Sequence, residues 1–209
     1  MRKGRNAVIA ALALGGLVLA ANPAQAQQKW TIEGRGGVGI PVGDLADLVD
    51  AGPSFGVGIS YQLHPRIDLL LSGGAEILSG VDADAAGPEA PDINLYHYNL
   101  GAVFHVLEPG MSRWSVDVNA GAGATTFDSD SFTTTAGTDD FSETYFTANG
   151  GLRIGYDVTP RVNVFVGGQV YLIFADEDDT AQLAALRTDV DAFDTVASIP
   201  VEAGVAIRF

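Results

Sequence analysis

Residues 195–209 read Thr195-Val196-Ala197-Ser198-Ile199-Pro200-Val201-Glu202-Ala203-Gly204-Val205-Ala206-Ile207-Arg208-Phe209. Ile199, Val201, Ala203, Val205, Ile207 and Phe209 take every second place, with Glu202, Gly204 and Arg208 among the residues between. Side chains alternate across a strand, so this period puts the apolar set on one face and the polar set on the other. The strand runs to the last residue and stops on an aromatic.

The same period recurs back along the chain. Phe55, Val57, Ile59 and Tyr61 alternate with Gly56, Gly58, Ser60 and Gln62, and Tyr96, Tyr98, Leu100, Ala102, Phe104 and Val106 alternate with His97, Asn99, Gly101, Val103 and His105. Eight such segments are predicted, at 30–40, 53–63, 66–78, 93–107, 114–127, 144–158, 161–174 and 195–209. Most reach the roughly 9–11 residues that a tilted membrane strand needs. Beyond the first 26 residues no apolar run approaches the ~18 of a spanning helix. The connections alternate too: 62–66, 108–113 and 157–161 are tight and proline-bearing, whereas 41–52, 79–92, 128–143 and 175–194 are long and acidic. Even strand number, short turns at one end and long loops at the other predict an all-β, eight-stranded antiparallel up-and-down transmembrane barrel with short periplasmic turns and long acidic outer loops.

Residues 1–26 have Arg2, Lys3 and Arg5, an apolar stretch from Ala7 to Ala21, and Ala24-Gln25-Ala26. This is the pattern of a cleaved secretory signal peptide, leaving 27–209 as one barrel domain. The signal takes three of the 11 basic residues with it and leaves a formal charge of roughly −18. So acidic a chain, without a basic stripe, excludes nucleic acid as a partner. With no cysteine, stability must come from backbone pairing and burial.

Tyr61-x-x-x-Pro65-Arg66 recurs as Tyr156-x-x-x-Pro160-Arg161, each followed by a glycine pair, Gly73-Gly74 or Gly167-Gly168. Tyrosine suits the headgroup level, proline the turn and arginine the aqueous rim. Trp30, Tyr61, Phe104, Trp114, Tyr156 and Phe209 are expected near one membrane face. The ending Glu202-x-Gly204-x-x-Ile207-x-Phe209 resembles the C-terminal assembly signal of bacterial outer-membrane barrels. The chain as a whole, including Gly39-Ile40-Pro41-Val42-Gly43-Asp44, resembles the small outer-membrane β-barrel family of OmpA, OmpX and OmpW. That resemblance implies residence in the outer membrane, contact with its lipids and lipopolysaccharide, insertion by the barrel assembly machinery and, as the expected state, a monomer. Pro200 departs from a regular closing strand, and a bulge or the outer rim is expected there.

An eight-stranded barrel is just wide enough to be filled by its own side chains. Inward parity selects Glu33, Arg35, Asp68, Ser72, Glu76, Asn99, Asp117, Asn119, Asn149, Arg153, Gln169 and Glu202. Of these, Glu33, Arg35, Asp68, Glu76, Asp117, Arg153 and Glu202 form the expected interior charge network, with Arg35 and Glu202 as a pair. It is read as a polar plug; the alternative is a gated path for small solutes.

The long loops hold 19 of the 26 acidic residues. Asp176 to Asp179 is the best divalent-cation candidate, and Asp82-x-Asp84-x-x-Gly87 starts like an EF-hand loop, but Ala86 and Ile93 stand where ligands are needed. No metal and no cofactor are therefore expected. Asp44 and Thr180 are predicted to cap short helices bearing Leu45, Leu48 and Val49, and Leu183, Leu186 and Val190. His97, with Asp92, Glu76 or Ser79 nearby, is the one candidate for acid–base work and reads better as an interior hydrogen-bonding group. The expected function is a non-enzymatic structural or surface-interaction role; the alternative is an OmpW-like narrow pore. A lipid A-modifying enzyme and a lipocalin-type binder rank below both.

Overall fold

The computed structural model describes residues 29–81, 92–107, 112–129, 142–175 and 195–209, and the backbone of 132–134 and 137–139. Among the described residues there are twelve strands: β1 (Trp30–Gly39), β2 (Pro41–Val42), β3 (Gly52–His64), β4 (Ile67–Leu78), β5 (Ile93–His105), β6 (Trp114–Ser129), β7 (Phe132–Thr134), β8 (Gly137–Asp139), β9 (Ser142–Asp157), β10 (Val162–Phe174), β11 (Thr195–Ser198) and β12 (Val201–Arg208). β7 and β8 form a separate hairpin; the others make one antiparallel sheet in which β12 pairs with both β1 and β10. The sheet is a closed barrel of eight staves, β1 with β2 counting as the first and β11 with β12 as the last. Closure leaves no free edge, so every spanning backbone group can find a partner within the wall. Among the described residues no helix is long and apolar enough to cross a membrane.

Alternation sorts the side chains into two environments. Phe55, Val57, Leu71, Tyr98, Leu100, Leu152 and Val166 are at least half exposed, facing outward, while Glu33, Asp68, Glu76, Asp117 and Glu202 are buried inside. Such an apolar exterior requires lipid around it. Tyr96 and Phe104 on β5 are eight residues apart, roughly 26 Å along a strand at about 3.3 Å per residue, which at a tilt of about 40° rises through roughly 20 Å of a band about 25 Å tall.

Several strand limits differ from the sequence reading. β6 and β9 run past the expected membrane boundary to Ser129 and back from Ser142, and β7–β8 extends the same excursion. The reason is burial: Phe127 and Tyr145 pack edge to face at 5.6 Å inside the loop end of the barrel, carrying the ladder outward. Asp44 is not a helix cap. The segment Gly43–Asp47 is a 3-10 turn whose N-cap is Val42, without a side-chain cap bond, and it begins with Gly43 at φ +68°. The expected Thr180 helix and the Asp82 and Asp176 stretches lie outside the described residues.

No bulge occurs at Pro200. Ser198 pairs with Tyr171 and Pro41, and Val201 with Gly168 and Val38, so the register is unbroken on both sides. Ile199 exchanges both backbone bonds with Ile40, at 2.8 and 3.3 Å, and the Gln169 N–H donates to the Pro200 carbonyl at 3.1 Å. Proline thus removes one donor toward β10 and leaves the geometry intact.

Candidate functional site

The lumen is filled by three layers of side chains. At the loop end, Leu45, Leu48 and Val49 of the 3-10 turn and its exit fold inward onto Leu78, Ile93, Leu95, Phe127, Tyr145, Tyr171, Ile173 and Val196. Their entry is pinned by a bridge between Val49 and Gly80 and by Val81 N–H donating to the Leu48 carbonyl at 3.1 Å. A chain segment with three large apolar residues in five has nowhere better to place them than an apolar mouth, so the loop closes its own barrel.

Beneath this cap lies His97. Its Nε2 is 2.8 Å from Glu76 Oε1 and its Nδ1 2.8 Å from Thr125 Oγ1. Thr147 donates to Thr125 at 2.7 Å, and Ser198 donates to Glu76 at 2.5 Å. The Glu76 carboxylate can only accept, so Nε2–H donates to it, and in that neutral tautomer the Thr125 hydroxyl donates to Nδ1. Tyr171 stacks flat on the His97 ring, centroids 4.0 Å apart at 8°. The order hydroxyl, imidazole, carboxylate resembles an activated nucleophile. The adjoining void, lined by Glu76, His97 and Tyr171, measures about 10 Å³, the lower limit for one water.

The third layer is a continuous chain of charge. Ser54 donates to Glu202 Oε1 at 2.7 Å, and Glu202 Oε2 lies 2.7 Å from Arg35 Nε. That contact is an ion pair rather than a hydrogen bond, because it lies off the N–H direction. Arg35 Nη1 donates to Glu33 Oε1 at 3.0 Å, and Arg153 Nη1 to Glu33 Oε2 at 2.6 Å. Arg153 Nε donates to Asp117 Oδ2 at 2.8 Å. Asp117 Oδ1 lies 2.6 Å from His105 Nδ1, whose Nε2 is 3.2 Å from Asp68. Phe165 supports the Arg153 guanidinium at 5.1 Å. Every stave contributes, so each buried charge meets a counter-charge, as burial demands.

All seven charged residues expected inside are inside. Glu33, Arg35, Asp117, Arg153 and Glu202 join one chain, Asp68 joins it through His105, and Glu76 belongs to the His97 layer. Ser72 and Gln169 are buried, Asn119 and Asn149 partly so; Asn99 is buried with both amide atoms lacking a partner. The residues named from inward parity do not include Ser54, Thr125, Thr147, Phe165, Tyr171 and Ser198, which also face the lumen. The same parity, applied to every residue, would have found them. Of the C-terminal set, Glu202 lies inside, while Ile207 and Phe209 face outward. A Cβ on Gly204 would come 2.6 Å from the Gly34 carbonyl oxygen and 2.5 Å from Phe165, so the strand contact there requires glycine. Among the described residues no cluster of His, Asp and Glu could hold a metal ion.

The turn end is different: Thr31, Gln62, Asp68, His105, Asp157, Asn163 and Arg208 surround a vestibule of about 270 Å³. Between vestibule and cap, the void beside Arg35 and Arg153 falls to about 30 Å³.

A closed eight-stave barrel, apolar outside and charged inside, coincides with a family match over residues 9–186 to the outer membrane protein β-barrel domain. The chain belongs to that family. It resides in the outer membrane, with the short turns toward the periplasm. Among solved structures it is similar to Neisserial surface protein A, at 16% identity and TM-score 0.60, covering 86% of this chain and 97% of that one. A major outer membrane protein from Thermus thermophilus matches at 15% and 0.55, covering 87% and 98%. The Ail attachment invasion locus protein of Yersinia pestis matches at 13% and 0.53, covering 87% and 99%. These likenesses are of fold alone. No curated protein sequence matches the chain.

In this family member the aromatic residues named from the sequence gather at the periplasmic end. Trp30 lies on Tyr61 with centroids 4.8 Å apart, Trp114 on Tyr156 at 5.2 Å, and Phe104 and Phe209 are exposed at the same level. Tyr98, Phe55, Phe146 and Phe174 form a second exposed set toward the outer end, Phe146 and Phe174 stacking at 5.8 Å.

Proposed function

We propose that this protein is a closed, non-enzymatic outer-membrane barrel whose role is structural and whose interactions are made by its acidic outer loops. The observation that carries the reading is the unbroken chain from Ser54 to Asp68 across the lumen, capped by Leu45, Leu48 and Val49. A buried network of this kind is costly to open, because each exchanged contact leaves a charge unpaired in a confined space. The loops, with 19 of the 26 carboxylates, present a repelling anionic surface to the exterior. The His97 relay is a packing element in this reading, since the void beside it is water-sized. Glu202, Gly204, Ile207 and Phe209 act as the signal to the assembly machinery, and lipids and lipopolysaccharide surround the apolar wall. The test is conductance of the refolded protein in a planar bilayer: a silent bilayer with folded barrel supports the closed reading, and reproducible steps that respond to Arg35→Met or Glu202→Leu sink it.

The second reading is a narrow pore, favoured by the vestibule of about 270 Å³ reaching Arg153 from the periplasmic side. It requires the Arg153–Glu33 contact and the apolar cap to move together.

A further inference from the structure

The periplasmic rim carries the same arrangement twice. Lys29-Trp30-Thr31-Ile32-Glu33 on the first stave and Arg113-Trp114-Ser115-Val116-Asp117 on the fifth share the order cation, Trp, hydroxyl, aliphatic, carboxylate. Trp30 pairs with Tyr61 and Trp114 with Tyr156, each tyrosine opening a Tyr-x-x-x-Pro-Arg turn that ends at Arg66 or Arg161. The ring pairs have like geometry, 4.8 Å at 58° and 5.2 Å at 66°. The backbone just beyond matches as well: Gln62 N–H donates to the Lys29 carbonyl at 2.7 Å, and Asp157 N–H to the Arg113 carbonyl at 2.7 Å. First and second staves against fifth and sixth, in a barrel of eight, are diametrically opposed.

Charge distribution says what these sites face. Among the described residues Arg35 and Arg153 are inside, and Lys29, Arg66, Arg113, Arg161 and Arg208 are all at the periplasmic end. Arg208 is engaged by Asp157 at 3.1 Å, and Lys29, Arg66, Arg113 and Arg161 are solvent-exposed. Arg113 is pre-positioned: its guanidinium lies 5.4 Å from the Tyr156 ring centre, with Nη1 donating to Tyr156 Oη at 3.1 Å.

We propose that these two rim sites are clamps for anionic phospholipids of the inner leaflet. Trp and Tyr seat at headgroup depth, which sets the neighbouring cations level with lipid phosphates. Guanidinium forks match phosphate oxygens, and clustered basic side chains at a membrane surface select anionic over neutral headgroups. The acidic loops at the other end repel the same lipids, so the pair of clamps also gives the barrel a polarity in the bilayer.

Native mass spectrometry of the folded barrel, equilibrated with equal phosphatidylglycerol and phosphatidylcholine, tests this. The expected result is two retained phosphatidylglycerol molecules, one after R113Q/R161Q, one after K29Q/R66Q and none in the quadruple variant. K29R/R113K, which keeps the charges, retains two. Each paired variant leaves the opposite clamp as an internal standard, and the heat-dependent gel shift verifies folding. Equal retention of both lipids, retention by the folded quadruple variant, or displacement of the lipid by excess inorganic phosphate would each overturn the proposal, the last by assigning recognition to free phosphate.

Discussion

Arg153 on β9 reaches across the lumen to Glu33 on β1, Nη1 2.6 Å from Oε2, over a sequence separation of 120 residues. The same guanidinium holds Asp117 through Nε at 2.8 Å, so one side chain neutralises two buried carboxylates on different staves. Replacing Arg153 with Met leaves Glu33 with Arg35 alone and Asp117 with His105 alone, and removing one partner of a buried pair costs about 3–5 kcal/mol. The urea midpoint of the folded barrel, followed by the cold-versus-heated gel shift, is expected to fall clearly. Arg153→Lys should recover part of the loss, because an ammonium restores charge without the fork that spans Glu33 and Asp117.

Arg35 and Glu202 should behave as a coupled pair. Arg35→Met leaves Glu202 only the Ser54 hydroxyl, and Glu202→Leu leaves Arg35 only the Glu33 carboxylate it shares with Arg153. The double variant removes both charges and should be more stable than the sum of the single losses predicts, by about 0.5–3 kcal/mol of coupling. Additive losses would mean that Glu33 and Ser54 alone compensate each partner.

His97→Ala withdraws the donor on one side of Glu76 and leaves it only Ser198, at 2.5 Å. A buried group losing a hydrogen-bond partner costs about 1–3 kcal/mol, more for a charged one, so the unfolding midpoint should drop. Lipid A from cells carrying the variant should have an unchanged mass spectrum; a modification that vanishes would reopen the enzymatic reading.

The cap is expected to be worth stability rather than permeability. Leu45→Ala empties a fully buried site and should cost about 2–5 kcal/mol. Conductance should stay silent, because the Arg35–Glu33–Arg153 chain remains below. Conductance appearing with this change alone would place the barrier in the cap.

Pro200→Ala supplies the N–H missing opposite Gln169. A gained backbone bond of about 0.5–1.5 kcal/mol is offset by the freer unfolded chain, worth about 0.4–1 kcal/mol, so stability should scarcely change. The new amide should nevertheless be strongly protected in hydrogen exchange, since the register already aligns it. Rapid exchange at residue 200 would contradict an unbroken closing strand.

What could be read in advance follows from periodicity. A two-residue repeat settles which face each side chain takes without knowing any partner, which is why all seven interior charges named from the sequence are found in the lumen. Of the two expectations for Pro200, the bulge is absent because proline removes a donor without dictating a bulge when the pairings on both sides keep the register. The Asp44 cap failed because Leu45, Leu48 and Val49 gain more by entering the barrel mouth than a side-chain cap would supply.

By itself the sequence determined the barrel, its stave number, its outward and inward faces and the end that bears the acidic loops, because these depend on local alternation and turn chemistry. Only the tertiary structure decided that Glu33 serves Arg153 as well as Arg35, that His97 finds Glu76 and Thr125, and that the first loop seals the mouth. Those contacts join residues far apart in the chain, and their partners are set by closure and stagger of the whole wall, which no local pattern encodes.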